Sequence, residues 1–82
     1  MAVVTMRYWA AAKEAAGVAE QKVEADTLAA ALAAVGPSPR LRAVLARCSF
    51  LIDGQPAGTR PANAVTLADG AVIEVLPPFA GG

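Results

Sequence analysis

Residues 69–82 read DGAVIEVLPPFAGG. Asp69-Gly70 is a turn dipeptide, because both residue types accept the positive φ angles that a tight reversal needs. Val72, Ile73 and Val75 are β-branched and packed into five residues, so Val72 to Leu76 is expected to be a strand. Pro77-Pro78 ends it, since proline offers no N–H to a ladder and fixes its own φ. Beyond lie Phe79, Ala80, Gly81 and Gly82. A sheet that terminates in a stiff, then narrow and pliable, chain is a body presenting a probe.

Working back from that strand, the remaining elements alternate. Val3 to Trp9 reads as a strand with Val4, Met6 and Tyr8 on one face and Thr5, Arg7 and Trp9 on the other. AAAKEAAG is a short helix stopped by Gly17. Gln21, Val23 and Ala25 alternate with Lys22 and Glu24, the pattern of a second strand. Next comes the clearest helix, ADTLAAALAAVGP, with Asp26 or Thr27 as its cap and Leu28, Leu32 and Val35 at i, i+4 and i+7. Ser38 and Pro39 open a third helical stretch in which Leu41, Val44 and Leu45 face inward. SFLIDGQPA is a strand entering an Asp53-Gly54 turn, and Ala64 to Leu67 is a short apolar piece read as one more strand. The order is β, short helix, β, helix, short helix, β, turn, β, β. It predicts an α+β domain with a small mixed sheet packed on one main helix. One domain is expected over 1–76, with 77–82 as its extended tail.

Composition narrows the function classes. Eighty-two residues support one core. Alanine fills 21 positions, so larger residues such as Val4, Leu28, Leu45, Phe50, Ile52, Val72 and Val75 must do most of the packing. Seven basic and seven acidic side chains cancel, which leaves no electrostatic footprint for nucleic acid or an anionic membrane. No apolar run approaches the roughly 18 residues of a membrane span. The N-terminal stretch lacks a signal-peptide layout, and one cysteine cannot form an internal disulfide, so a cytoplasmic setting is expected. Histidine is absent, which removes the commonest general base and metal ligand. A lone Cys48 excludes Cys-rich zinc sites, and no metal site is expected. No glycine-rich phosphate loop is present. An autonomous enzyme is the weakest reading.

The tail supplies the missing chemistry. Pro77 to Gly82 is six residues, a reach of at most about 20 Å. Such a probe suits delivery of the Gly82 carboxylate into another protein's active site. A carboxylate oxygen is a poor leaving group, and transfer to ATP as an acyl-adenylate supplies a good one. A sulfur nucleophile attacking that carbonyl then yields a thiocarboxylate. Glycine at 81 and 82 removes the Cβ bulk that would obstruct a narrow tunnel. The plainer alternative, that two glycines stand there by coincidence, is weakened by the double proline and the strand before them.

These features carry a resemblance. The opening VTMRYWAAAKEAAG, the helix TLAAAL, the Asp69-Gly70 turn and the ending VLPPFAGG resemble the MoaD/ThiS family of sulfur-carrier proteins across essentially the whole chain. Within that family the double proline looks most like the MoaD branch, the small subunits of molybdopterin synthase. The resemblance implies a ubiquitin-like β-grasp fold. It implies that Gly82 is adenylated by an E1-like activating enzyme of the MoeB type at the expense of ATP and becomes a thiocarboxylate. It implies docking on the large subunit MoaE, whose active site holds the catalytic side chains, in a heterotetramer that builds the dithiolene of molybdopterin. No permanently bound cofactor is implied. Ala71 departs from the family's frequent acidic residue after the turn, and Trp9 stands where many members have phenylalanine. Residues 55–63 align with nothing from which a role transfers.

Phe79, Leu76 and Trp9 are candidates for partner contact, while Pro77, Pro78, Ala80 and Gly81 present Gly82. Cys48, beside SFLI, is expected to be a small buried hydrophobe and not a sulfur carrier. Arg40, Arg42 and Arg47 read as the solvated face of a helix. Three rival readings stay open. One is a carrier for thiamine, cysteine or tRNA thiolation. Another is a protein modifier whose Gly82 forms isopeptide bonds, and the third is a β-grasp interaction module with an inert tail.

Overall fold

The computed structural model describes residues 2–78. Its elements are β1 (Val3–Tyr8), α1 (Ala10–Ala16), β2 (Glu20–Glu24), α2 (Leu28–Ala34), α3 (Pro39–Leu45), β3 (Ser49–Ile52), β4 (Gln55–Pro56), a single 3₁₀ turn at Ala62–Ala64, and β5 (Val72–Leu76). The strands form one mixed sheet in the order β2-β1-β5-β3-β4. β5 lies at its centre, parallel to β1 and antiparallel to β3.

Alternation along the strands decides which face is covered. Val4, Met6 and Tyr8 of β1 are at most 1% exposed, as are Ile73 and Val75 of β5, whereas their neighbours Thr5, Arg7, Val72, Glu74 and Leu76 are not buried. The core therefore sits on one side, beneath the helices. Leu28 and Ala31 of α2, Leu41 and Leu45 of α3, and Ala12 of α1 close it. The three helical segments expected from sequence are all present, each seven residues long, and all three contribute to covering this face. Helices this short are marginal alone and owe their order to the apolar faces they bury. Their alanines let them pack closely. Val72, read from sequence as a core residue, stands on the uncovered face.

Local signals account for the boundaries. Thr27 is the cap of α2, its hydroxyl accepting the Ala30 N–H at 3.1 Å. Asp26 is freed for another task, and its Oδ1 accepts the Ala2 N–H at 2.8 Å. Ser38 caps α3, with Pro39 in its first turn. α1 ends at Gly17, whose φ of 77° is the left-handed conformation that costs a residue with a Cβ about 1–2 kcal/mol. Asp53 and Gly54, at φ 50° and 84°, make the two-residue reversal between β3 and β4. Asp53 also reaches across, its Oδ1 accepting the Val72 N–H at 2.9 Å.

Two expectations change. The segment Ala64 to Leu67 is not a strand of the sheet. Its alternation is genuine, with Val65 and Leu67 buried, but its hydrogen bonds go to the entrance of α2. The Leu28 N–H donates to Val65 O at 2.9 Å and the Leu67 N–H to Asp26 O at 2.8 Å, around a lone Thr27–Thr66 bridge. In its place the extra strand is β4, a two-residue edge in which Pro56 is tolerated because its missing N–H faces no neighbour.

Candidate functional site

The tail leaves the body at the end of β5. Because β1 and β5 are parallel, with Tyr8 opposite Val75, both strands finish at the same edge of the sheet. β3 begins at that edge with Ser49 opposite Leu76. β2 begins there too, with Glu20 opposite Arg7. The root of the tail is thus ringed by Trp9, the start of α1, the start of β2 and the start of β3. Leu76 and Pro77 are half-buried and Pro78 is exposed. Phe79, Ala80, Gly81 and Gly82 lie outside the described residues, and with them the expected reacting carboxylate.

Trp9 is placed differently from its reading as the last residue of a strand. β1 closes at Tyr8, and Trp9 is the extended residue before α1, at φ −119° and ψ 149°. The reversal falls on Ala10, whose φ of 48° is unusual for a residue with a side chain. The Trp9 N–H still donates to Val75 O at 3.3 Å, so its backbone adjoins the end of β5. Its indole is 46% exposed, one of three large apolar side chains left so open among the described residues. That exposure excludes a core role. Beside it, Arg7, Tyr8, Trp9, Lys13, Ala19 and Glu20 line a cleft of about 230 Å³. Arg7 Nε donates to Glu20 Oε2 at 2.9 Å on this open surface. Tyr8 is turned to the core, its hydroxyl donating to Gln21 Oε1 at 2.8 Å, and burial pushes its pKa up.

Cys48 immediately precedes Ser49 and so stands close to the tail root in sequence register. Its thiol is half-buried, donates to Val44 O at 3.1 Å, and has its pKa raised by burial. A raised pKa leaves less thiolate at any given pH, which is the reverse of what a nucleophile requires. We therefore expect iodoacetamide to alkylate native Cys48 more slowly than the urea-unfolded chain at pH 8. The rate should also turn upward at a higher pH in the native protein. Equal rates and equal midpoints would show a thiol that burial does not perturb, and a faster rate with a lower midpoint would show an activated one. Arg40, Arg42 and Arg47 are exposed, as expected of a solvated helix face.

Among the described residues no cluster of three or more cysteine, aspartate or glutamate side chains is placed to hold a metal, and none of the helices is long and apolar enough to cross a membrane. What the geometry provides is a sheet edge at which the central strand ends and residues 77–78 leave the ladder. Two residues at that edge escaped the sequence reading. Val18 is 47% exposed and falls opposite Trp9 when the β1–β2 register is continued by two positions. Glu74 sits between Arg7 and Leu51 on the uncovered face. Both become visible only once strand partners are known.

Comparison with known proteins agrees on the architecture. The family model described as the ThiS family matches residues 6–82. The chain is similar to the small archaeal modifier protein 1 of Methanosarcina acetivorans, at 25% identity and a TM-score of 0.85 over 100% of this chain and 98% of that one. The corresponding protein of Haloferax volcanii aligns at 26% identity and a TM-score of 0.80, covering 98% and 99%. A protein–protein complex of subunits 1 and 2 of molybdopterin-converting factor from Helicobacter pylori contains a chain matched at 25% identity and a TM-score of 0.72, covering 98% and 99%. A search of curated proteins gave no match.

Proposed function

The chain belongs to the ThiS family, small ubiquitin-like carriers that do not themselves catalyse, and from that premise we propose that the Gly82 carboxylate is its reacting group. An ATP-dependent activating enzyme would bring that carboxylate to the α-phosphate of ATP. The carboxylate oxygen attacks phosphorus, pyrophosphate leaves, and an acyl-adenylate forms. A sulfur nucleophile from a separate donor adds to the carbonyl carbon, the C–O bond to phosphate breaks, and AMP departs. The product is a thiocarboxylate at Gly82. The observation that carries this reading is the exit of a Pro-Pro-Phe-Ala-Gly-Gly tail from the central strand of a β-grasp sheet.

For the destination of the sulfur we favour the small-subunit role in molybdopterin synthase, with a MoaE-type large subunit supplying the catalytic side chains. The double proline and the likeness to a chain of the H. pylori two-subunit complex support it. A second reading is protein modification, in which a lysine amine replaces sulfur as the nucleophile and forms an isopeptide. The likeness to two archaeal modifier proteins favours that alternative.

The test is incubation with an activating enzyme of the MoeB type, ATP and a sulfide donor, followed by intact-mass measurement. Exchange of one terminal oxygen for sulfur is the expected result. An unchanged mass, with the enzyme active on its own carrier, would overturn the proposal. Recovery of a MoaE-type partner then favours the molybdopterin destination, and recovery of lysine conjugates favours the modifier.

A further inference from the structure

A second opening lies on the other flank of the tail root from the Trp9 cleft. Leu28, Phe50, Ala57 and Ala62 wall a cavity of about 320 Å³ between the start of α2, β3 and the segment that follows β4. Cys48, Ser49 and Arg60 also line it, and Arg60 is its one charged side chain. Two carbonyls hold that guanidinium in place. Its Nε donates to Ala57 O at 3.0 Å and its Nη2 to Pro56 O at 3.4 Å. These bonds use two of its five N–H groups, and among the described residues it has no acidic partner. An apolar cavity with one fixed cation suits a ligand that carries one apolar group and one carboxylate.

We propose that this cavity is the resting seat of the chain's own tail, with Phe79 against the apolar wall and the Gly82 carboxylate on Arg60. The tail has the required chemistry, because Phe79 is its one aromatic residue and Gly82 ends in its one carboxylate. It also starts in the right place. Ser49, which lines the cavity, is the residue opposite Leu76, where β5 ends. The Ala57 N–H donates to Phe50 O at 2.9 Å, so the segment carrying Arg60 runs on beside β3. Two strand spacings, about 10 Å, thus separate the tail root from that segment. Four residues follow Pro78, and they span at most about 14 Å. The double proline delays the reversal to Phe79, and two glycines at the end allow it. A docked tail withholds its carboxylate from an activating enzyme and lowers the carrier's apparent affinity by the fraction of tails left free. That consequence rests on the proposed activation of Gly82, whereas the docking itself does not.

Cys48 lines the cavity and reports its occupancy. Alkylation by iodoacetamide should be about threefold or more faster in Arg60→Gln, in Phe79→Ala and in a chain ending at Pro78 than in the native full-length protein. That ratio corresponds to a tail docked at least about two-thirds of the time. Removing the guanidinium without releasing a tail would slow the reaction, because a nearby cation favours thiolate. The buried core runs from Ala2 to Val75, so the Phe79 variant and the shortened chain keep it whole, and a melting curve verifies this. The peptide Phe-Ala-Gly-Gly should restore protection to the shortened chain at about millimolar concentration, the effective concentration of a short tether. The same peptide with a C-terminal amide should not. Equal alkylation rates in the parent, Phe79→Ala and the shortened chain would overturn the proposal. Protection that grows with protein concentration would also overturn it, since the occupant would then be the tail of a second copy. ATP–pyrophosphate exchange by an E1-like enzyme reads the consequence, and Arg60→Gln should lower the half-saturating carrier concentration about threefold. If the variants lose protection while even the parent supports no exchange, the docking stands and the activation of Gly82 is what fails.

Discussion

Deleting Gly82 should abolish thiocarboxylate formation and leave the unfolding temperature unchanged. The shortened chain still ends in a glycine carboxylate, so its intrinsic chemistry is the same. What changes is position. Removing one residue withdraws the carboxylate by about 3.5 Å, and a misplacement of about 1 Å in a reacting group can cost a hundredfold in rate. The tail cannot make up the loss by stretching, because its first two residues are prolines and its root is pinned by the pairing of Leu76 with Ser49. Stability should not move, since the buried core runs from Ala2 to Val75. Intact-mass analysis after incubation with the activating enzyme, ATP and sulfide reads the first half, and a melting curve reads the second. Loading of the shortened chain at the parent's rate would remove Gly82 from the mechanism.

The legible parts of this fold were those encoded by neighbours in sequence. Gly17, Thr27, Ser38-Pro39 and Asp53-Gly54 act on the backbone within a few residues of themselves, and each ends or turns an element where expected. The central β-branched strand was equally plain. Misreadings arose where hydrogen-bond partners are distant. Val65 and Leu67 alternate with Thr66 as strand residues do, yet the backbone they pair with is a loop at Asp26 to Leu28. Gln55-Pro56 was not singled out as a strand of its own, because a two-residue strand has no periodicity to detect. Asp26, Asp53 and Asp69 were explained by local turn or cap chemistry. Their carboxylates also hold the N–H groups of Ala2, Val72 and Val3, contacts up to 66 residues apart in sequence.

The candidate site divides in the same way. The proposed reacting terminus is read from the last residues alone, and these lie outside the described ones. The surroundings of the tail root, where Trp9, Leu76 and Ser49 come together, depend on strand register, which no single stretch contains. Trp9 was noticed as an aromatic residue, but its exposure follows from the reversal at Ala10. Val18 gave no signal at all, because a lone valine after a helix stop is ordinary. Phe79, expected from sequence to contact a partner, lies outside the described residues.

Replacing Ile73 with alanine should lower stability by a large share of the total. Ile73 is fully buried in the central strand, with Met6 opposite it on one side and Ile52 on the other. Truncating a buried isoleucine to alanine costs about 2–5 kcal/mol, the range reflecting how far the surroundings collapse. Collapse is restricted here, because the neighbouring backbones are fixed by ladder hydrogen bonds on both sides. A chain of this length has a total stability of about 4–12 kcal/mol, so the loss is a large share of it. The melting midpoint should fall by at least about 10 °C. Val72→Ala is the matched control: it alters the adjacent residue of the same strand, but on the uncovered face, and should cost less than about 1 kcal/mol. Well below its melting point the Ile73→Ala protein should still be loaded with sulfur, since the tail is unaltered. Equal destabilisation by the two substitutions would mean that the helices do not cover the face assigned to them.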